Sequence, residues 1–451
     1  MDRRNQPNTK IVYIISPILI FSVLSFGSVE IWSSAIVQVS VLTLFVAWPV
    51  FPFANGQPDP APSQKSKVRR LMFITLGCLL AFMALQMFPL PPVLLNYISP
   101  KAFEIYSFYL PEGTPDMYIS LHSYRTRTEF FRILSYAAFF VTVAFSFKER
   151  PTIELQLKVL AWFGFILAVF AIIQKATWTG KLYWLRELTH GGTPFGPFVN
   201  RNHYAGLIGM LIPLSLGLAF TRRDRAKQFL FGFLALIMAV SLFLSLSRGG
   251  IISFFGGITV FAFFLSWRRF RKRKIWGLAA FVFLLFLYLI YLGIDPLIDR
   301  FYSTDLTRED RFTVWSETLR ASRDFLIVGS GLGTFINVFP LYSSDSTASI
   351  YDHAHNDYLE FILEAGIIGS VLLVLALFFY FCIVFRAGWK GRAGVLKASM
   401  ISAIGTISIH SIFDFNLHIM SNALMLMAIC GMAFALSSSG SDGSREAVHL
   451  A

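Results

Sequence analysis

Charge is scarce in this chain. Only 14% of its 451 residues are Asp, Glu, Lys or Arg, against about one quarter in soluble domains. That deficit excludes the two or three soluble domains that the length would otherwise suggest. With 55% apolar residues and a mean hydropathy of +0.61, a disordered chain is excluded as well. Cysteine is scarcer still. Cys78, Cys382 and Cys430 all fall in apolar stretches, which rules out a disulfide scaffold and reads as buried small hydrophobes. Also missing are a P-loop, an HExxH helix and paired-cysteine zinc spacing, so an ATP-driven pump is disfavoured.

What the chain has in quantity is long apolar runs. A bilayer core ~30 Å thick needs about 20 apolar residues in a helix rising ~1.5 Å per residue. Twelve spans meet that pattern: 11–28, 32–53, 71–88, 131–147, 159–177, 204–220, 229–246, 250–266, 275–293, 358–385, 398–413 and 419–436. The fold class expected is an all-α polytopic membrane protein with about twelve transmembrane helices. The first run has no small-residue cleavage site before an equally apolar second run, so it reads as a span rather than a signal peptide.

The excess of positive charge, +13, is topological. Of 39 Lys and Arg residues, 25 lie at the N-terminus, in 54–70, 148–158, 221–228, 267–274 and 386–397, and in the tail. The opposite loops are longer yet hold 14. The positive-inside rule makes the first set cytoplasmic, both termini included, and twelve spans close that topology. Basic clusters beside spans meet anionic lipid, so membrane lipids and not nucleic acid are the expected partner.

Three outer segments are long enough to build something: 89–130, 178–203 and 294–357. The last opens with Asp295-Pro296 and carries an amphipathic helix near Arg308 to Arg323. A glycine-rich turn, Gly329 to Gly333, and a polar stretch from Tyr342 to Tyr351 follow. The tail, 437–451, is expected to be disordered.

Charged groups in or beside a span are costly and mark functional or paired sites. Asp357, Glu360 and Glu364 fall on one helix face at i, i+3, i+7. Asp357 and Glu360 have the spacing of a helix cap and its capping box. Glu364, nine residues beyond His355, lies roughly 13 Å deeper and has no such role. His355, beside Asn356 at the helix mouth, has the chemistry of a general base. His353, His355 and Asp357 also resemble a metal-ligand set, but the alternation is short and no Cys contributes, so no metal is expected.

Arg248, in a tight turn between apolar runs, suits a bidentate contact with phosphate oxygens. Arg311 and Trp315 share one face of the loop helix. Asn200, Arg201, Asn202 and His203 stand at the mouth of the sixth span, and the glycine turn could form a backbone nest for phosphate. His410, Asp414 and His418 recur at i, i+4, i+8 and read first as a structural polar seam. Several Arg, a His and carboxylates on one face suit transfer from a phosphate-bearing substrate.

These residues resemble the bacterial O-antigen ligase and O-antigen polymerase superfamily. Its signature is His, then Asn, Ser or Gln, nine residues, then GxxG; here it reads His355-Asn356, nine residues, Gly366-Ile-Ile-Gly369. An SRG turn at Ser247 to Gly249, R-x-x-x-W at Arg311 to Trp315, N-x-N-H-x-A at Asn200 to Ala205 and HSxxDFN at His410 to Asn416 are similar to family features. The likeness runs from about 195 to 430, which divides the chain into N-terminal helices (1–194), a ligase-related region (195–436, with loop 294–357) and the tail.

The resemblance implies a GT-C-like, metal-independent membrane glycosyltransferase without cofactor in the bacterial inner membrane. It would take a glycan from undecaprenyl diphosphate on the periplasmic face. The acceptor would be lipid A-core for a ligase, preferred here, or another repeat unit for a polymerase. By the same analogy Arg248, Arg311 and Arg201 would hold the donor diphosphate and His355 would act on the acceptor hydroxyl. Asn356, Asp357, Glu360, Asn202 and Asp414 would support them. From another class, a transporter for an anionic lipid or sugar remains open, though the groups gather at one rim and no internal repeat is seen.

Overall fold

The structure, a computed structural model, describes residues 9–48, 64–111, 117–147, 149–188, 191–267, 272–292, 306–344, 351–386, 388–389 and 391–438. Asp295-Pro296, half of the polar stretch after Tyr342, and all but the first two residues of the tail lie outside the described residues.

Each expected span appears as a helix. In chain order they are α1 (Lys10–Leu24), α2 (Ile31–Ala47), α3 (Gln64–Leu85), α6 (Ser123–Ser146), α7 (Arg150–Ala176), α8 (Arg201–Thr221), α9 (Arg225–Leu244), α10 (Arg248–Trp267), α11 (Lys272–Leu292), α14 (Asp357–Arg386), α15 (Gly391–His410) and α16 (Met420–Ser438). Among the described residues ten of these are long and apolar enough to cross a membrane. The exceptions are α1 and α2, at 15 and 17 residues.

The bundle is layered by composition. α8, α15 and α16 are almost wholly buried and form its centre. α8 packs on α9 and α15, and α15 on α10. Small residues set these distances: a Cβ on Gly217 would overlap Ser399, and one on Gly209 would sit 3.0 Å from the Thr406 methyl. Close approach of this kind is how helices associate where lipid removes the hydrophobic drive. α3, α11 and α14 lie at the edge with apolar side chains outward. Cys78 is therefore exposed on α3, not buried as expected, because an apolar stretch at the periphery turns half its surface to lipid.

A second, smaller core sits beyond the bundle. It is built by α4 (Pro92–Ile98), α5 (Pro100–Tyr109), α12 (Leu306–Asp324) and the short α13 (Phe335–Val338), around Leu95, Val314, Phe325, Phe335 and Leu363. A two-residue antiparallel pairing, β1 (Pro89–Leu90) with β2 (Met117–Tyr118), closes its edge. Leu363 belongs to α14, which thus serves both cores. That helix has 30 residues, about 45 Å at 1.5 Å each and too long for one crossing.

Gly366 divides it, at φ 62° and ψ −167°, a conformation open essentially only to glycine. The interrupted backbone is taken up by the turn after α12: Ile367 N donates to Leu326 O at 2.8 Å and Ile368 N to Ile327 O at 3.2 Å. The 20 residues from 367 to 386 suffice to cross, while 357–365 belong to the smaller lobe. Glu364 therefore does not lie deep in the span. It is buried in the lobe, where Oε1 accepts from Phe335 N at 3.0 Å.

Candidate functional site

The loop leading into α14 carries His355 with φ 50°, a left-handed backbone that a β-carbon disfavours. Three contacts hold it there. Asn356 Oδ1 accepts from Tyr358 N and Leu359 N, both at 3.1 Å, which makes Asn356 the helix cap. Asp357 N donates to Ser411 O at 3.0 Å. From α12, Trp315 Nε1 donates to Ala354 O at 3.0 Å.

The imidazole of His355 meets Asp414, with Nδ1 and Oδ1 3.1 Å apart. A carboxylate only accepts, so Nδ1 carries the proton and Nε2 is left as an acceptor. Asp414 is buried. Burial alone would raise its pKa, but the His355 hydrogen bond and the nearby Arg311 charge hold it well below the usual carboxylate range. His203 Nε2 stands 4.0 Å from the same oxygen. The ring of Phe415 packs against His203, His353 and His355 at centroid distances of 4.8, 4.2 and 5.0 Å.

Two arginines flank this turn. Arg311, one helical turn before Trp315, donates from Nη1 to Phe413 O at 3.1 Å. Arg248 is the first residue of α10, and a Cβ on the adjacent Gly249 would lie 3.1 Å from both His410 and Phe413. The α10 turn is tied to α8 by Ser247 Oγ donating to Asn202 Oδ1 at 2.8 Å.

With this geometry in place, comparison with known families finds a match over part of the chain. Residues 233–374 match the O-antigen ligase family. The matched segment includes Arg248, Arg311, His355, Asn356, Asp357 and Glu360, and it supports a membrane protein of the O-antigen ligase and polymerase type. Comparison with the curated proteins returned no match.

Within and beside the matched segment, the carboxylates of α14 do other work than expected. Asp357 and Glu360 do not form a capping box, because Asn356 already caps the helix. Asp357 accepts instead from Leu417 N at 3.2 Å and faces His418 Nδ1 at 3.0 Å. Glu360 Oε1 faces His353 Nδ1 at 2.7 Å and His418 Nε2 at 3.3 Å, and Oε2 accepts from Ala354 N at 2.9 Å. The atoms of His353, Glu360 and His418 lie within 4.8 Å of one another, so these three, not His353, His355 and Asp357, are the set whose spacing a divalent ion would fit.

The glycine turn is no phosphate nest either. Ser330 N, Gly331 N and Leu332 N are committed to Leu363 O, Glu364 O and Gln86 Oε1. The turn clamps the break in α14.

The sequence places His203 only at the mouth of the sixth span and His418 only in a structural polar seam. The i, i+4, i+8 spacing of His410, Asp414 and His418 suggested one helix face, but α15 stops at His410 and a 3-10 turn spans Asn416–His418. The three residues diverge: Asp414 turns to His355 and His418 to Asp357 and Glu360. The helix-breaking Asp-Phe-Asn run was the available signal.

Burial lowers the His418 pKa, but the Glu360 charge and the Asp357 hydrogen bond outweigh it and raise it to about 9. With an unfolded value near 6.5, its stabilising charge is fully present below about pH 6.5. That stability is lost as the pH rises through about 9. The thermal midpoint of wild type over His418→Gln in nanodiscs should be widest near pH 6 and close by about pH 10; a gap independent of pH would mean that His418 is neutral.

Arg201 points elsewhere. It lines a cavity of about 310 Å³ between the ends of α7, α8 and α9, together with Lys175 and Trp178.

Proposed function

We propose that this protein is a membrane glycosyltransferase that moves a glycan from undecaprenyl diphosphate to an acceptor on the periplasmic face, as an O-antigen ligase with lipid A-core as acceptor. The reading places it in the bacterial inner membrane, with both termini cytoplasmic. The observation that carries it is the His355–Asp414 pair at the turn flanked by Arg248 and Arg311.

In this mechanism Nε2 of His355 takes the proton from an acceptor hydroxyl as its oxygen attacks the anomeric carbon. The bond from that carbon to the diphosphate oxygen breaks on the opposite side, and the configuration inverts. Asp414, held ionised, stabilises the imidazolium that forms and fixes the tautomer before it. The departing diphosphate gains charge in the transition state, where positioned guanidinium groups count most. Arg248 and Arg311 supply that charge. Asn356, Asp357, Glu360 and Asn202 hold the turns in place, and no step needs a metal.

The test is reconstituted transfer from an undecaprenyl-diphosphate glycan, with EDTA, offering lipid A-core, excess lipid-linked repeat, or neither. Glycan on lipid A-core is the result expected. Lengthened lipid-linked chains would make the protein a polymerase using the same site, and movement of lipid without bond exchange would make it a carrier.

Arg311 also gives a graded prediction. Lysine keeps the charge but loses the planar fork, so Arg311→Lys should lower kcat/KM for the donor by roughly 10-fold to 100-fold. An unchanged value would remove Arg311 from the diphosphate site.

A further inference from the structure

The cavity beside Arg201 has no part in the bond-exchange step, yet its chemistry is specific. Among the described residues its walls include two cations, Lys175 and Arg201, and no Asp or Glu. It opens among the ends of helices on the face where Lys and Arg are fewer, 14 of 39, so paired cations there are not explained by topology. Trp178, 41% exposed, also lines the cavity. Its ring is large and flat and is not consumed by the core.

The walls are built rather than incidental. Gly192 (φ 129°) and Gly196 (φ 58°) turn the 191–196 loop, and a Cβ at either would meet Val199 O at 3.0 Å or Tyr204 at 3.1 Å. The loop is stitched to α8 by Arg201 N donating to Thr193 O at 2.8 Å. Behind it the buried Gln174 side chain, with its nitrogen toward the loop, donates to Gly196 O and accepts from Tyr183 N, both at 2.6 Å. The first turn of α8 brings its positive dipole end to the same rim. On the other side of that turn His203 approaches Asp414, and Leu246 of the cavity wall is two residues from Arg248.

We infer that this cavity binds an anionic saccharide, a sugar bearing phosphate or carboxylate, belonging to one of the two glycan substrates. The volume lies at the lower end of small-ligand pockets. Paired cations select the anion, and an indole face suits the apolar face of a sugar ring. The inference deepens the transferase reading by naming a substrate class, and for the glycan assignment it rests on that reading.

Binding is tested first, without transfer. Full-length protein in nanodiscs would be titrated with glucose 6-phosphate, glucuronate and glucose by saturation-transfer NMR. The charged sugars should bind roughly tenfold more tightly than glucose, as expected for one charge-assisted contact. Lys175→Gln should abolish that preference, and Trp178→Ala should weaken all three. Equal binding of the three sugars, no binding by the wild type, or a preference that survives Lys175→Gln would overturn the site. These outcomes do not depend on whether the protein transfers glycans.

The second arm identifies the source. In the transfer assay Lys175→Gln should raise KM about tenfold for the substrate that presents the anionic sugar, donor or acceptor, leaving its partner's KM and kcat unchanged. Unchanged KM values for both would remove the glycan assignment.

Discussion

His355→Gln is expected to lower kcat by about a thousandfold, within the 10²–10⁴ range of general-base catalysis, with KM for the lipid-linked donor little changed. Glutamine is the informative replacement. Its amide still donates to Asp414, so the buried carboxylate keeps a partner, but it has no basic nitrogen to receive a proton. His355→Ala would lose the same chemistry and also leave the Asp414 carboxylate, 1% exposed, without that donor. A buried charge stripped of its partner costs on the order of 3 kcal/mol or more, so the thermal midpoint should fall for Ala and hold for Gln.

Asp414→Asn should behave as a tautomer defect: near-native folding with kcat reduced by roughly 10²-fold or more. Steady-state transfer rates and melting curves on these variants separate chemistry from folding. His355→Gln at full activity would end the general-base role and return the carrier reading.

The second large effect is expected at Gly366, far from the reacting atoms. Any β-carbon there meets both a forbidden backbone region and the turn beneath it, with Gly329 N at 2.5 Å and Ile327 O at 2.6 Å. Both obstacles are backbone and have no rotamer to move. Gly366→Ala should therefore cost about 3 kcal/mol, the upper end for one strained residue, and more if the turn separates. The loss should be local at first. Hydrogen exchange should rise at Ile367 and Ile368, whose amides depend on Leu326 and Ile327, and activity should fall because Trp315 then no longer secures Ala354. Unchanged exchange and melting would show that α14 tolerates a continuous helix.

The two effects mark what was legible in the chain and what was not. Arg311 and Trp315 share a face because they are four apart, and both reach the turns that hold His355 and Asp414. That spacing is a local property, and so was the run of twelve apolar segments. The glycine turn and Gly366 were each visible as glycine, but their purpose lies in one another: they meet only once α12 has folded back onto α14. Glu364 looked too deep for a loop because distance was counted along an unbroken helix.

The polar partners were harder. Asp414 and His355 are 59 residues apart, and His418 lies 61 residues from Asp357. A periodicity argument compares neighbours on one element, so it grouped His410, Asp414 and His418 by spacing and missed that the helix ends first. Burial was equally hidden. Cys78 and Cys430 sit in comparable apolar runs, yet one turns outward and the other lies among packed helices.

By itself, the sequence determined the all-helical class, the positions of the spans, the asymmetry of charge across them and the residue types available for chemistry. These follow from composition and from period, which act over a few turns of chain. Only the tertiary structure decided which carboxylate serves which histidine, that the glycine turn clamps a helix break, and that Lys175 and Arg201 share a cavity. Those pairings join segments tens or hundreds of residues apart, and which of them form depends on how side-chain volumes let the helices approach. No local pattern encodes that distance.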